Sequence, residues 1–427
     1  MVLRFSIENF RSIKDKIEFN MEPAPIKEHL SNVYSIGKNK ALRTAIIYGP
    51  NASGKSNIIR AFSAINYLVS HSADFKPDKS IGPYEPYRLD KSMSNKPVNL
   101  EIEFIASNGK RYLFYLSYSQ KVIEKEEVYI FQKNQKALLY SRTQDRVRYG
   151  DYYKGDRKSV ENRMLPNQLF ISKAVLDKNS SLNPIYEFLD DILMPLTWLP
   201  DHHQNRYQQL FAKRLAKNDD IEFIKKFNKL ICALDTGIHE VTSQEEDWDA
   251  FTFPESVPDE VKESLKKEFK YKINTIHKVF DENKEVGIEY FDREDESQGT
   301  KNLFSIAGIV LDALEMGSTL IVDEFDNNLH PHITKVLIQL FNNPNININN
   351  AQLIFATHDI SQLDNDVFRR DQIWFTEKNE FGSTSLFSLI DISGVRNTVP
   401  YDKWYDSGKF GATPLIDELE LLFHAES

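Results

Sequence analysis

With a single cysteine, Cys232, the chain has no means of closing an intramolecular disulfide. No apolar run approaches the ~20 residues needed to cross a bilayer; the best candidate, Leu303 to Leu314, is short and contains Asp312. The opening stretch Met1-Val2-Leu3-Arg4-Phe5-Ser6-Ile7-Glu8 lacks the basic-then-apolar pattern of a secretory signal. These absences lead to the expectation of a cytoplasmic protein without a membrane span. An excess of basic residues is also missing. The formal net charge of -10 argues against wholesale coating of nucleic acid, although a local basic groove can exist on an acidic protein. No heptad pattern is sustained, which excludes a long coiled-coil arm. His202-His203 has no nearby cluster of His or Cys to complete a metal site, so it reads as solvated loop.

What is present is ample core: 427 residues, 41% of them hydrophobic, suffice for two or three packed domains. The chain is organised around Ile46-Ile47-Tyr48-Gly49-Pro50-Asn51-Ala52-Ser53-Gly54-Lys55-Ser56, which has the form of a phosphate-binding loop. Gly49 and Gly54 permit the tight turn that aims backbone N–H groups inward, Lys55 adds a mobile cation, and Ser56 offers a hydroxyl to Mg²⁺. A β-branched run (Thr44 to Ile47) precedes the loop and an amphipathic stretch beginning at Asn57 follows it, the setting in which a helix N-terminus meets phosphate.

Upstream, Leu3 to Phe10 alternates apolar and polar residues, Arg11-Ser12 marks a turn, and Ile17-Glu18-Phe19 resumes an extended pattern, together predicting a hairpin at an edge. Lys76 to Pro97 reads as surface loop, and three strand-like runs from Leu100 to Phe131 predict an antiparallel meander. Arg142 to Arg163 mixes basic, acidic and tyrosine residues and reads as solvated loop in preference to a nucleic-acid grip. Helical spacing follows at Leu182 to Leu193, Tyr207 to Leu215, Ile221 to Leu234 and Asp259 to Phe269, while Lys272 to Ile276 and Val286 to Tyr290 read as strands returning to a sheet.

Ser318 to Val322 is a buried-strand run ending in Asp323-Glu324. Asp323 is placed to hold Mg²⁺ through water, and Glu324 to orient and deprotonate an attacking water. Asp323 lies 268 residues after Lys55, so a large insertion separates the halves of one nucleotide fold. A second apolar strand, Gln352 to Ala356, ends in Thr357-His358-Asp359, where His358 could contact a γ-phosphate. Glu296-Ser297-Gln298-Gly299 leads into an apolar helix, a helix N-terminus suited to an anion. The expected fold is α/β: a P-loop nucleotide-binding head with an antiparallel β subdomain and an inserted helical subdomain. The expected units are 1–165, an N-terminal lobe with the phosphate loop and meander, 166–285, the helical insertion, and 286–427, the C-terminal lobe.

Taken in this order, Asn9-Phe10-Arg11-Ser12-Ile13, the phosphate loop, the Ser297/Gly299 stretch, Asp323-Glu324 and His358 resemble the ABC-type ATPase heads of the SMC, RecF and OLD group. That resemblance implies ATP with Mg²⁺ as ligands and a site built from Gly49, Asn51, Ser53, Gly54, Lys55, Ser56 and Asn57, with Arg11 reaching phosphate. It further implies Asp323 on the metal, Glu324 as base, His358 as switch histidine, and Ser297 and Gly299 capping the nucleotide of a second copy. ATP would then join two heads, in a dimer or a higher homo-oligomer. Asp326-Asn327-Asn328-Leu329-His330-Pro331 resembles the OLD-like branch, and its place would be at the dimer seam.

A narrower resemblance rests on Asp323-Glu324-Phe325-Asp326-Asn327, Thr357-His358-Asp359, Arg369-Arg370-Asp371-Gln372-Ile373-Trp374-Phe375 and Gly408-Lys409-Phe410-Gly411-Ala412. These runs are similar to stand-alone ATPases of prokaryotic phage-defence and abortive-infection systems, of the AbiLi or RloA type. The implied function is an ATP-hydrolysing sensor or regulator that controls an effector protein encoded nearby. The competing reading is a DNA-clamping repair ATPase of the RecF kind, for which nucleic acid would be the partner. A self-sufficient nuclease is disfavoured, because only 69 residues follow His358 and part of them already belongs to the ATPase pattern.

Overall fold

The computed structural model describes residues 1–412 except 134, 145, 177–180, 193–200, 218–219, 235–236, 249–252 and 255, with backbone alone at 201–208 and 268. The expected His202-His203 loop lies where side chains are outside the described residues; its backbone belongs to the helix Asp201–Lys217.

Five strands form the central sheet in the order Thr319–Val322, Gln352–Ala356, Thr44–Tyr48, Ile373–Lys378, Thr384–Ser388. The first four run parallel and the last is antiparallel. Thr44–Tyr48 is buried at all five positions, as befits a strand covered on both faces. Alternation divides its side chains: Ala45 and Ile47 join a core with Phe5, Ile58 and Phe62, whereas Ile46 and Tyr48 join one with Phe304, Leu337 and Phe375.

The first face is covered by the helix Lys55–His71, whose buried residues Ile58, Ala61, Phe62, Ile65, Leu68 and Val69 recur at three- and four-residue spacing. Beyond it lies a seven-stranded antiparallel sheet containing Val2–Glu8 and the meander from Val98 to Tyr149. Phe62 stacks on Phe5 with centroids 3.8 Å apart, joining helix to sheet. The second face carries the helices Gln298–Met316 and Pro331–Asn342.

The hairpin near the N-terminus is present, with Ile17–Asn20 at the sheet's edge. Two expectations change. Residues Arg142 to Tyr149 are not solvated loop. The strands Gln135–Thr143 and Arg146–Tyr149 extend the meander, and Arg142 is 1% exposed. Its guanidinium donates to the carbonyls of Gln144, Gln168, Leu165 and Pro166 and faces Glu126 at 3.6 Å. Charge alone suggested solvent, but four backbone acceptors and a buried carboxylate satisfy this cation inside. Second, Lys272 to Ile276 and Val286 to Tyr290 are strands of a sheet as expected, but the first lies within the stretch expected to be helical. They lie in Tyr271–Asp281 and Lys284–Asp292, which make a separate three-stranded sheet with Glu240–Glu245. The insertion thus contains a small sheet as well as helices.

That insertion shares core with the nucleotide fold. Phe211, Phe223, Phe227 and Ile231 pack in one cluster with Leu303, Phe304 and Val310 of Gln298–Met316. At Gly308 a Cβ would lie 2.6 Å from the Phe211 ring, so only glycine lets the helices approach this closely. Among the described residues no helix is long and apolar enough to cross a membrane.

Candidate functional site

Parallel register brings the carboxyl ends of three strands to one rim, because Tyr48 pairs with Phe375, Ile47 with Ala356, and Phe355 with Val322. The chain leaves this rim through Gly49, Thr357 and Asp323, so residues far apart in sequence converge there, at the usual ligand edge of an open parallel sheet.

Gly54 caps the helix Lys55–His71 with φ 116°, and no side chain caps that N-terminus, which leaves it suited to an anion. A Cβ on Gly54 would lie 2.8 Å from Thr384 Cγ2, and one on Gly49 would lie 2.5 Å from both Ser53 Oγ and the Thr376 carbonyl. The loop is clamped against the sheet by hydroxyls. Ser53 Oγ lies 2.6 Å from Thr376 Oγ1, which donates to the Tyr48 carbonyl at 3.1 Å. Thr384 Oγ1 donates to the Ser53 carbonyl at 2.7 Å and lies 2.7 Å from Ser12 Oγ, which accepts from Asn57 Nδ2 at 2.6 Å. Ser53 and Asn57, both expected at the ligand, thus have side chains engaged in holding the loop. Asn51 is exposed.

Lys55 Nζ donates to the carbonyls of Gly49 at 2.7 Å and Pro50 at 3.2 Å. Burial lowers its pKa, opposed by the negative charges of Asp323, Glu324 and Asp326. Asp323 and Asp326 are each 8% exposed, and each has one buried oxygen, Oδ1, without a donor among the described residues. Leaving carboxylate oxygens dry and unpaired is costly. A hydrated Mg²⁺ held by Asp323 with the Ser56 hydroxyl fits this donor set. Glu324 is exposed and holds φ at 52°, an uncommon conformation for glutamate. His358 is exposed at the rim after Thr357.

Residues 45–364 match the family described as "AAA domain, putative AbiEii toxin, Type IV TA system". The chain belongs to that AAA-domain family. In three dimensions this AAA-domain chain is similar to the SMC head domain from Thermotoga maritima, at 14% identity over 91% of this chain and 98% of the other, TM-score 0.41. It is similar also to an SMC head bound to the C-winged helix domain of ScpA (13% identity, 91% and 97% coverage, TM-score 0.43). A third similar structure is the recombination mediator RecF with ATP (13% identity, 91% and 99%, TM-score 0.37). No curated protein matches the sequence.

Two expected residues of the AAA-domain chain stand apart from the loop's own contacts. Arg11 Nη1 donates to both Glu85 carboxylate oxygens, at 2.8 and 2.7 Å. Ser297 caps the helix Gln298–Met316 by accepting from the Thr300 N–H at 3.1 Å. A Cβ on Gly299 would lie 3.0 Å from the Asn328 carbonyl, so this N-terminus packs on the turn that follows Asp323-Glu324. The residues that sequence reasoning missed are Thr376 and Thr384, whose signal is purely tertiary, and Ser12, which lay unused within the Asn9 to Ile13 motif. Arg369-Arg370-Asp371-Gln372, read as a family mark, binds structure. Arg369 pairs with Asp371 at 2.7 Å and donates to the Glu28 carbonyl at 2.6 Å, and Gln372 Nε2 donates to the Thr44 carbonyl at 2.8 Å.

Proposed function

We propose that this chain is an ATPase that regulates an effector in a prokaryotic antiviral defence system, the effector being a separate protein encoded nearby. The observation that carries the nucleotide assignment is the buried Asp323 Oδ1, without a donor among the described residues, whose charge acts on the desolvated Lys55 of the loop. The family match supports an AAA-type nucleotide machine and its association with abortive infection.

In this reading the N–H groups at the head of Lys55–His71 receive the phosphates, and Lys55 exchanges the Gly49 and Pro50 carbonyls for phosphate oxygens. Ser56 and Asp323 would hold Mg²⁺, which when bound offsets the triphosphate charge. Glu324 accepts the proton of the attacking water and His358 contacts the γ-phosphate. Arg11 reaches phosphate only by releasing Glu85. Ser297 and Gly299 of one copy face the nucleotide of another, so ATP draws two heads together and hydrolysis releases them.

Two variants test this. Lys55→Ala is expected to lose ATP turnover, and Glu324→Gln to keep ATP while stalling hydrolysis, because an amide does not take the water's proton. In sedimentation, Glu324→Gln should form an ATP-dependent dimer that Ser297→Arg prevents. Turnover at the unmodified rate in Lys55→Ala would refute the site, and an ATP-insensitive Glu324→Gln monomer would refute the sandwich. Co-expression with the product of the neighbouring open reading frame tests the effector: its activity should change in Lys55→Ala, and indifference to that change would refute regulation.

A further inference from the structure

A second cavity lies against the small sheet of the insertion, and its lining shares no residue with the phosphate loop. Its volume is about 340 Å³, within the ~300–1,000 Å³ usual for small-molecule sites. Trp248, Phe269 and Tyr271 bring three aromatic side chains to it. Phe269 is 41% exposed, although phenylalanine is ordinarily buried. It directly follows the helix Asp259–Glu268, and its N–H bonds the Leu265 carbonyl at 2.9 Å, so the exposed ring stands on a fixed stem. Gln209, also in the lining, fixes the strand beside it by donating to the Tyr271 carbonyl at 2.9 Å and accepting the Tyr271 N–H at 2.8 Å.

The polar part of the lining carries both signs. Arg293 Nη1 donates to Glu294 at 2.7 Å, but Arg293 Nε is buried and has no acceptor among the described residues. Burial lowers the pKa of this guanidinium, and a buried donor left unmatched is costly. Lys272 is held by Asp292 at 2.8 Å, with Glu246 adding to the negative field on it. Three carboxylates, of Glu246, Asp292 and Glu294, stand against two cations, so the lining does not favour a buried anion.

We propose that this cavity takes a nucleobase, carried either by a nucleoside or by a single strand of nucleic acid. Aromatic side chains stack on the face of any base. A base edge presents acceptors and donors side by side, which suits a cavity that offers Arg293 Nε as donor and Glu246 as acceptor. The excess of carboxylates keeps sugar and any phosphate toward solvent.

The same lining leads to Ser297 and Gly299, and the coupling that follows rests on their proposed role at the nucleotide of a second copy. Glu294 accepts from Arg293 Nη1 on one oxygen and from Lys301 Nζ at 3.0 Å on the other, and Lys301 Nζ also bonds the Glu294 carbonyl at 2.7 Å. Lys301 stands in the first turn of Gln298–Met316. Glu296 Oε1 accepts from Thr275 Oγ1 at 2.5 Å and lies 2.8 Å from His277 Nε2, both on the strand that begins at Tyr271, and Ser297 is the next residue. A base that holds Arg293 therefore holds, through Glu294 and Lys301, the helix end that carries Ser297 and Gly299, and so favours the pairing of heads.

The site is tested apart from ATP in the full chain carrying Lys55→Ala with EDTA, by calorimetric titration with adenosine, guanosine, cytidine and uridine and, separately, with a short mixed-sequence single-stranded DNA. Binding of a nucleoside at one site per chain assigns a free ligand, and binding of the strand alone assigns a base presented by nucleic acid. Phe269→Ala should weaken that binding roughly fivefold or more, the loss of one stacked face. Arg293→Lys, which keeps the charge and removes the Nε–H, should also weaken it, with thermal melting unchanged in both variants. No binding by any probe, or binding that either substitution leaves unchanged, would overturn the proposal. In Glu324→Gln the bound probe should lower the protein concentration needed for ATP-dependent dimerisation by about fivefold or more. A probe that binds without this effect would overturn the coupling. A Glu324→Gln chain that never pairs with ATP would refute the head pairing and the coupling with it, while the titration in Lys55→Ala still decides the nucleobase site.

Discussion

Thr384 Oγ1 donates a hydrogen bond to the carbonyl of Ser53 at 2.7 Å across 331 residues of chain. The phosphate loop is therefore shaped from outside itself, by the antiparallel edge strand of the central sheet. Thr384→Val keeps the volume and removes the hydroxyl, leaving the Ser53 carbonyl without this donor at a cost of about 1–3 kcal/mol. The expected outcome is up to roughly tenfold weaker nucleotide binding with the fold retained, measured by titration with a fluorescent ATP analogue beside circular dichroism.

Gly54→Ala should be more severe. The position has φ 116°, and a Cβ would collide with Thr384 Oγ1 and lie 2.8 Å from Thr384 Cγ2. Backbone strain of about 1–3 kcal/mol adds to the clash, so binding should fall at least tenfold in the same titration. Pairing it with Thr384→Ser, which keeps the colliding hydroxyl, should recover little of the loss.

Glu324 holds φ at 52°, a conformation that costs a side-chain-bearing residue roughly 1 kcal/mol. Glu324→Gly is accordingly expected to preserve or slightly raise stability against urea while abolishing ATP turnover. A loss of both would place Glu324 among structural residues.

Arg142→Met should destabilise the meander by about 3–5 kcal/mol, since it strands the carboxylate of Glu126 in a dry interior. Glu126 is 0% exposed and also accepts the N–H groups of Phe170 and Ile171 at 2.7 and 3.0 Å. Adding Glu126→Gln to Arg142→Met should restore part of that stability, as read from urea midpoints.

Asn9 is 1% exposed; its amide donates to the carbonyls of Met93, Lys96 and Pro97 and accepts the Tyr87 N–H at 3.1 Å. Asn9→Ala should release the Lys76 to Pro97 connection for about 1–3 kcal/mol, seen as faster limited proteolysis within it. It should also shift Arg11, whose backbone N–H bonds the Glu85 carbonyl at 2.7 Å.

Local chemistry was legible without coordinates. The loop from Gly49 to Ser56, the apolar run ending in Asp323-Glu324, and the run ending in His358 each state their type within about ten residues, because strand burial and turn geometry are set by neighbours in the chain. The meander was legible for the same reason as far as Phe131. What only the tertiary structure decided depends on contacts between distant segments. Parallel register at Tyr48, Ala356 and Val322 sets three loops on one rim. Ser12, Thr376 and Thr384 become loop clamps only once the sheet edge is assembled, and Arg142 is inside only because carbonyls from 165–168 meet it there. The same holds at Lys284–Asp292, where alternation identifies a strand but only the sheet order leaves it at an edge. A side chain's type is carried by the sequence; its partner is chosen by chain folding over hundreds of residues, where no local pattern records it.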